Sequence, residues 1–161
     1  ARHGADVMSR VGFALAEAGR RRLTTLIRNQ VGSLIEELVK GAHVSSQPLD
    51  AVSIVGNTVM HHLFCGIDIE PLSHYPFQPV RDGLEAFQSH DLGWELKGDP
   101  VVRFLPCLGG FVGSDILAGV LATRLHESEV LVGLVDLGTN GEIVIGNHER
   151  LLCASTAAGP A

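Results

Sequence analysis

The chain has 161 residues, 45% hydrophobic and 19% charged, which excludes a disordered or fibrous protein and suits one domain or part of a larger one. A formal charge of −6 and a pI near 5.7 exclude a general nucleic-acid binder, since no basic face dominates. Three cysteines without a CxxC pair imply a reducing compartment, and no apolar run approaches a membrane span, so the expected location is cytoplasmic.

In residues 5–18, Val7, Met8, Val11, Ala14, Leu15 and Ala18 recur at helical spacing and Gly19 stops the run. Residues 21–40 repeat the period through Leu23, Leu26, Ile27, Val31, Leu34, Ile35 and Leu38, with Gly41 as the stop. The basic GRRRL at 19–23 opens this second helix and reads as a solvated end. AVSIV (51–55), bounded by Asp50 and Gly56, reads as a buried strand that runs into a GNT turn and a short helix, TVMHHLFCG. Pro71, Pro76, Pro79 and Pro100, with Gly83, Gly93 and Gly98, break any long element across 66–100, which reads as a surface insertion or a long crossover. VVRFL (101–105) is a further strand, and GGFVGSDILAGVLATRL (109–125) is a glycine-rich turn entering a helix. EVLVGLVDLG and EIVIG then form a hairpin, and ERLLCAS adds a third strand. Both ends read as cuts, so a fragment of a longer protein is expected. The alternation of helices and apolar strands indicates an α/β fold with a mixed sheet and flanking helices.

The strongest chemical signal is the turn formed by Asp136, Gly138, Thr139, Asn140, Gly141 and Glu142. Its glycines allow backbone N–H groups to approach a phosphate, and Thr139 adds a hydroxyl donor. A carboxylate beside phosphates is repulsive by itself. It becomes useful when it holds Mg²⁺, commonly through water, and the ion bridges to phosphate oxygens. The plain alternative is a hairpin closed by an Asn140–Gly141 type I′ turn, which needs no ligand and which, taken alone, the motif favours.

The order of the elements favours the phosphate reading. Strand, GNT turn, helix, then strand, glycine-rich turn, helix, then the DLGTNGE hairpin resembles the connecting and second-phosphate segments of the actin, sugar kinase and heat-shock chaperone (ASKHA) superfamily. More narrowly, HGADVMSR, VGNTVMHHLFCGID, LPCLGGFVGSDILAG, LVDLGTNGEIVIGN and CASTAAGPA are similar, in this order, to motifs of the reductive activators of corrinoid proteins, the RACo-like ferredoxin family. The resemblance implies a partial actin/sugar-kinase-like (ribonuclease H-like) fold. Residues 1–128 would be the remainder of a first lobe, with an insertion at about 66–100, and 129–161 the start of a second lobe. It implies ATP and Mg²⁺ as cofactors, a corrinoid protein as partner, and restoration of that partner from cob(II)alamin to cob(I)alamin. Iron–sulfur clusters are expected only in other domains of the parent.

Residue by residue, the resemblance makes Asp136 the catalytic second-phosphate carboxylate and Mg²⁺ holder. It assigns Gly138, Thr139, Asn140 and Gly141 to phosphate binding, and Gly56, Asn57 and Thr58 to the cleft at the crossing of the halves. Gly109, Gly110 and Gly113 would permit a tight strand-to-helix crossing. LPCLGG carries no glutamate of the kind that heat-shock chaperones place before this helix, so the water-positioning group is unassigned. Val52, Ile54, Val55, Val132, Leu134 and Val135 are expected in adjoining strands of one sheet, a condition this reading sets for the superfamily assignment. A fragment of this kind is expected to be inactive in isolation and to expose apolar surface, which leaves homo-oligomers open; neither nucleic acid nor membrane is an expected partner. The rival functions are a small-molecule kinase or radical-dehydratase activase on the same fold, and a non-hydrolysing regulatory or interaction module.

His61, His62 and Cys65 share a helix, but adjacent histidines point about 100° apart, so a partly buried polar surface explains them better than a metal site. Cys107 and Cys153 sit in apolar sequence and read as inert core thiols. Trp94, Tyr75 and Phe77 fall in the proline-rich stretch and fit either a binding surface or packing on the helices.

Overall fold

A computed structural model describes residues 6–44, 46–138 and 140–157. Helix α1 (Val7–Ala14) is capped by Asp6, whose carboxylate accepts the Ser9 amide at 2.8 Å and the Ser9 hydroxyl at 2.9 Å. The helix stops short of the 5–18 span that its spacing predicts, and α2 (Glu17–Gly41) already contains Gly19. Gly19 is a contact point rather than a stop. A Cβ there would lie 2.0 Å from the Phe13 carbonyl oxygen, so the bare glycine lets α2 fold back against the end of α1. Arg20 pairs with Asp68, Arg21 pairs with Glu17, and Arg22 is exposed, which makes the basic run a solvated helix end.

The first sheet contains β1 (Ala51–Ile54), β2 (Glu85–Gln88) and β3 (Val101–Phe104), in the order β1-β3-β2. β1 runs parallel to β3, whereas β2 runs antiparallel to it, with Phe87 opposite Val102. Helix α3 (Thr58–Cys65) lies between this sheet and α2. The Thr24 hydroxyl donates to the Leu63 carbonyl at 2.6 Å, and Arg28 Nε donates to the Phe64 carbonyl at 2.8 Å. The stretch 66–100 is no surface insertion. It supplies β2 and places Ile67, Ile69, Leu72, Leu92 and Trp94 in the core. Trp94 Nε1 donates to the Arg28 carbonyl at 2.9 Å, and its ring fills the space that a Cβ on Gly32 would occupy. The prolines and glycines rule out long helices, but they leave room for a four-residue strand and for anchors in the turns.

The second sheet is antiparallel and consists of β4 (Val132–Leu137), β5 (Asn140–Gly146) and β6 (Leu151–Ala157), in that order. Its inner face packs on α4 (Ser114–Ala122), where Val112, Ile116, Val120, Leu125 and Val144 form one buried cluster. The expectation of a single sheet is therefore corrected: 51–54 and 132–137 belong to separate sheets. Short connections let β4, β5 and β6 satisfy one another's backbone groups, and α4 takes the position between the sheets. The outer face of the second sheet leaves Val135, Ile143, Ile145 and Leu152 exposed. Among the described residues no helix is long and apolar enough to cross a membrane.

Candidate functional site

The register of the second sheet decides which side chains meet. Asp136 pairs with Glu142 and Glu142 with Ser155, so the three form a cross-strand row on the face that carries Leu134 and Val144. The Ser155 hydroxyl donates to Glu142 Oε1 at 3.1 Å. Leu137 pairs with Gly141, which puts the chain reversal between these two residues and makes Asn140 and Gly141 strand residues. The Asn–Gly type I′ turn is thereby corrected: the Gly138 amide donates to the Asn140 carbonyl at 3.0 Å, and Asn140 pairs with Ala157. Two carboxylates directly opposite each other in a ladder repel, so nothing in hairpin stability explains the pair.

Helix α4 brings a third carboxylate to this place. Its start is fixed to the GNT turn of the first sheet. The Ser114 amide donates to the Gly56 carbonyl at 2.9 Å, and the Gly56 amide donates to the Ser114 hydroxyl oxygen at 3.1 Å. Gly113 makes the approach feasible, since a Cβ would stand 2.3 Å from the Gly56 oxygen and 2.4 Å from Asn57 Cα. Asp115, the next residue, then faces the hairpin. Asp6, Val7, Arg10, Asn57, Asp115, Asp136, Gly138, Asn140 and Glu142 line a polar cleft of about 220 Å³ between α1, the two turns and the hairpin. Burial, followed by the charge of Asp136, holds the Asp115 carboxyl above the usual carboxylate range. Glu142 is raised in the same way, by burial first and then by Asp115 and Asp136. These hard oxygen donors fit a divalent cation such as Mg²⁺, which would relieve their mutual repulsion. Among the described residues no three such side chains stand ready at direct ligand spacing, so an ion here would retain water in its shell.

Residues 1–128 match the family model for the RACo middle region, and residues 130–161 match that for the C-terminal domain of RACo, the ASKHA domain. The chain belongs to the RACo family. It is 31% identical over 159 residues to the corrinoid activation enzyme RamQ of Eubacterium limosum, which covers 98% of this chain and 26% of that protein. A solved structure of a reductive activator for corrinoid, iron–sulfur protein superimposes with a TM-score of 0.90 at 31% identity. That match covers 99% of this chain and 26% of the other. The chain thus spans about a quarter of the length of the relatives it matches. Shared membership of one sheet was too strict a condition for the ASKHA assignment, because residues 130–161 match the ASKHA-domain model and the fold superimposes on a solved reductive activator over 99% of this chain.

Of the residues that the RACo-like motifs single out, Asn57, Asp136, Gly138 and Asn140 line the cleft. Thr139 lies outside the described residues. Gly56 and Thr58 sit behind the lining, where the Thr58 hydroxyl donates to the Gly109 carbonyl. Asn57 also caps α3, accepting the Met60 amide at 2.9 Å. Of the crossing glycines, Gly110 abuts the Phe77 carbonyl and Gly113 abuts Gly56, whereas Gly109 has open space around it. Sequence reasoning missed Asp6, Arg10 and Asp115. The signal available for Asp115 was its place in the first turn of a helix that follows a glycine-rich crossing.

His61 and His62 are fully buried, which corrects the partly exposed surface expected for them. His62 Nδ1 contacts the Thr58 carbonyl at 2.9 Å and His61 Nε2 contacts that of Gly83 at 3.2 Å, leaving His61 Nδ1 and His62 Nε2 without hydrogen bonds. The His61 ring also packs edge-on against Phe104. Desolvation lowers both imidazoles, His62 to about 4, so both are neutral core residues. Cys65 and Cys107 are buried and raised by desolvation, Cys65 to about 12, and are poor nucleophiles. Cys153 is instead exposed, since β6 is an edge strand. Trp94 is core, whereas Tyr75 is 85% exposed beside Phe77.

Proposed function

We propose that this chain is the section of a longer ATP-dependent reductive activator that joins the first lobe of an ATPase domain, 1–128, to the start of its second lobe, 129–161. The observation that carries the reading is the convergence of the Asp136 hairpin, the Asp115 end of α4 and the Asn57 turn on one polar cleft. RACo family membership, and the corrinoid activation named for RamQ, support a corrinoid protein as the partner.

In this reading Gly138, Thr139, Asn140 and Gly141 present the hairpin backbone to the terminal phosphates, and Asp136 holds Mg²⁺ through water. When bound, Mg²⁺ supplies charge neutralisation at the phosphate oxygens. Asp115 orients the attacking water and takes its proton as the new P–O bond forms and the bond to ADP breaks. A carboxylate raised by burial and by Asp136 is suited to accept that proton. Glu142 keeps the floor of the cleft acidic and is held in place by Ser155. The nucleotide state would then alter how the two lobes sit together and so gate one-electron reduction of cob(II)alamin to cob(I)alamin, for which an iron–sulfur cluster in another domain of the parent would supply the electron.

The test uses the full-length protein with a low-potential reductant and a cob(II)alamin-loaded corrinoid protein, followed by absorbance. Reduction should require hydrolysable Mg·ATP and stop with a non-hydrolysable analogue. Equal reduction without nucleotide refutes the reading.

A further inference from the structure

Among the described residues, the cleft that this reading gives to a polyphosphate is lined by four carboxylates, Asp6, Asp115, Asp136 and Glu142, and by one cation, Arg10. Arg10 stands on α1, its amide bonded to the Asp6 carbonyl at 3.2 Å, and its side chain is half-buried. The obvious structural partner for its guanidinium is Asp6, one turn earlier. Asp6 instead takes its hydrogen bonds from Ser9, and although the charge of Arg10 helps to lower the Asp6 carboxyl, the two form no close ion pair among the described residues. The guanidinium instead directs Nη1 at the Met60 sulfur at 3.5 Å. A thioether is a weak acceptor, so among the described residues most of the five N–H donors of this fork have no hydrogen-bond partner in the small polar cleft. Arginine forks match phosphate oxygens two at a time, which makes this an unfilled phosphate contact.

We propose that Arg10 is a ligand of the terminal phosphate of the nucleoside triphosphate bound in this cleft. The inference rests on the nucleotide reading above. Asp115, the proton acceptor in that reading, has to face the terminal phosphate, and Arg10 lines the same small cleft. Met60 meets the tip of Arg10 from α3, while Asp6 is engaged in the helix cap with Ser9. The guanidinium is thus set without an internal salt bridge that binding would have to break.

The test compares Mg·ATP and Mg·ADP binding by calorimetry for the full-length wild type, Arg10→Ala and Arg10→Lys. Arg10→Ala should weaken Mg·ATP by about ten- to a hundredfold, the scale of a lost charge-assisted contact, and leave Mg·ADP within about twofold. Arg10→Lys should recover part of the loss, because it keeps the charge without the fork. The Mg·ADP affinity also reports on folding, since a variant that misfolds loses both ligands. Equal weakening of both nucleotides in Arg10→Lys, or no weakening of Mg·ATP in Arg10→Ala, overturns the proposal. A wild type that binds neither nucleotide overturns the nucleotide reading, and this proposal with it.

Discussion

Replacing Asp136 by Asn should separate stability from turnover, because the register assigns them opposite signs. Asp136 stands directly across the ladder from Glu142, and Asp115 reaches the same cleft. The Asn side chain keeps the volume and removes one of two facing like charges, a relief of about 0.2–1 kcal/mol. For a domain of this size, that places the melting temperature between no change and roughly 4 °C higher. The repulsion that raises Glu142 also weakens, so its carboxyl should titrate at lower pH than in the wild type. Turnover should move the other way. If Asp136 balances the metal and phosphates as proposed, its loss should lower the ATPase rate by about a hundredfold or more. The measurements are thermal melting without nucleotide, ATPase rate per molecule at saturating Mg·ATP, and NMR titration of Glu142, all on the full-length protein. An Asp136→Asn protein that melts early yet keeps its rate would show that the carboxylate is structural, and the argument from the facing pair would be wrong.

Asp115→Asn should fold normally and abolish the acidic limb of the ATPase pH profile, which in the wild type falls as pH drops through the raised Asp115 value; an unchanged limb would remove Asp115 from proton transfer. His62 titrates at about 4 when folded, below its ordinary 6.5, so its contribution to stability is complete above 6.5 and is lost as pH falls towards 4. The loss should reach roughly 3 kcal/mol, and denaturant melts of wild type and His62→Leu should therefore diverge in slope across that window. Gly113→Ala should cost about 1–3 kcal/mol, because the added methyl meets the backbone of Gly56 and Asn57 as well as the Asp115 carboxylate, and the backbone cannot step aside. Wild-type stability in a denaturant titration would contradict the close approach. Trp94→Ala should cost about 3–5 kcal/mol, since it empties the site against Gly32 and strips a hydrogen bond from Arg28; a loss below 1 kcal/mol would place Trp94 outside the core.

Elements whose residues repeat at one period were legible in the sequence. Leu23, Leu26, Ile27 and Val31 mark α2, and the apolar runs around Val52, Val102 and Val144 mark strands. Pairing was less legible. An apolar strand does not encode its neighbour, so β1 and β4 were expected in one sheet although α4 separates their sheets. β2 escaped notice because Glu85–Gln88 is short, mixed in polarity and flanked by chain breakers, and only its bonds to β3 make it a strand. The hairpin side of the site was readable because Asp136, Gly138 and Asn140 are neighbours in sequence. Asp115 and Arg10 reach the same cleft from helices far along the chain, and no local pattern links them to it.

The separation of the sheets has a mechanical consequence. Among the described residues no strand ladder ties the hairpin to the first sheet, so tilting one against the other would leave both ladders intact. What joins them is the Ser114–Gly56 contact at the start of α4, three hydrogen bonds of 2.9, 3.1 and 3.2 Å. Leu134 bears on α4 beside Gly119, while the chain before the helix presses Gly110 onto the Phe77 carbonyl. Phe77 in turn meets the exposed ring of Tyr75 edge-on, so the crossing links the hairpin side of the cleft to an aromatic surface.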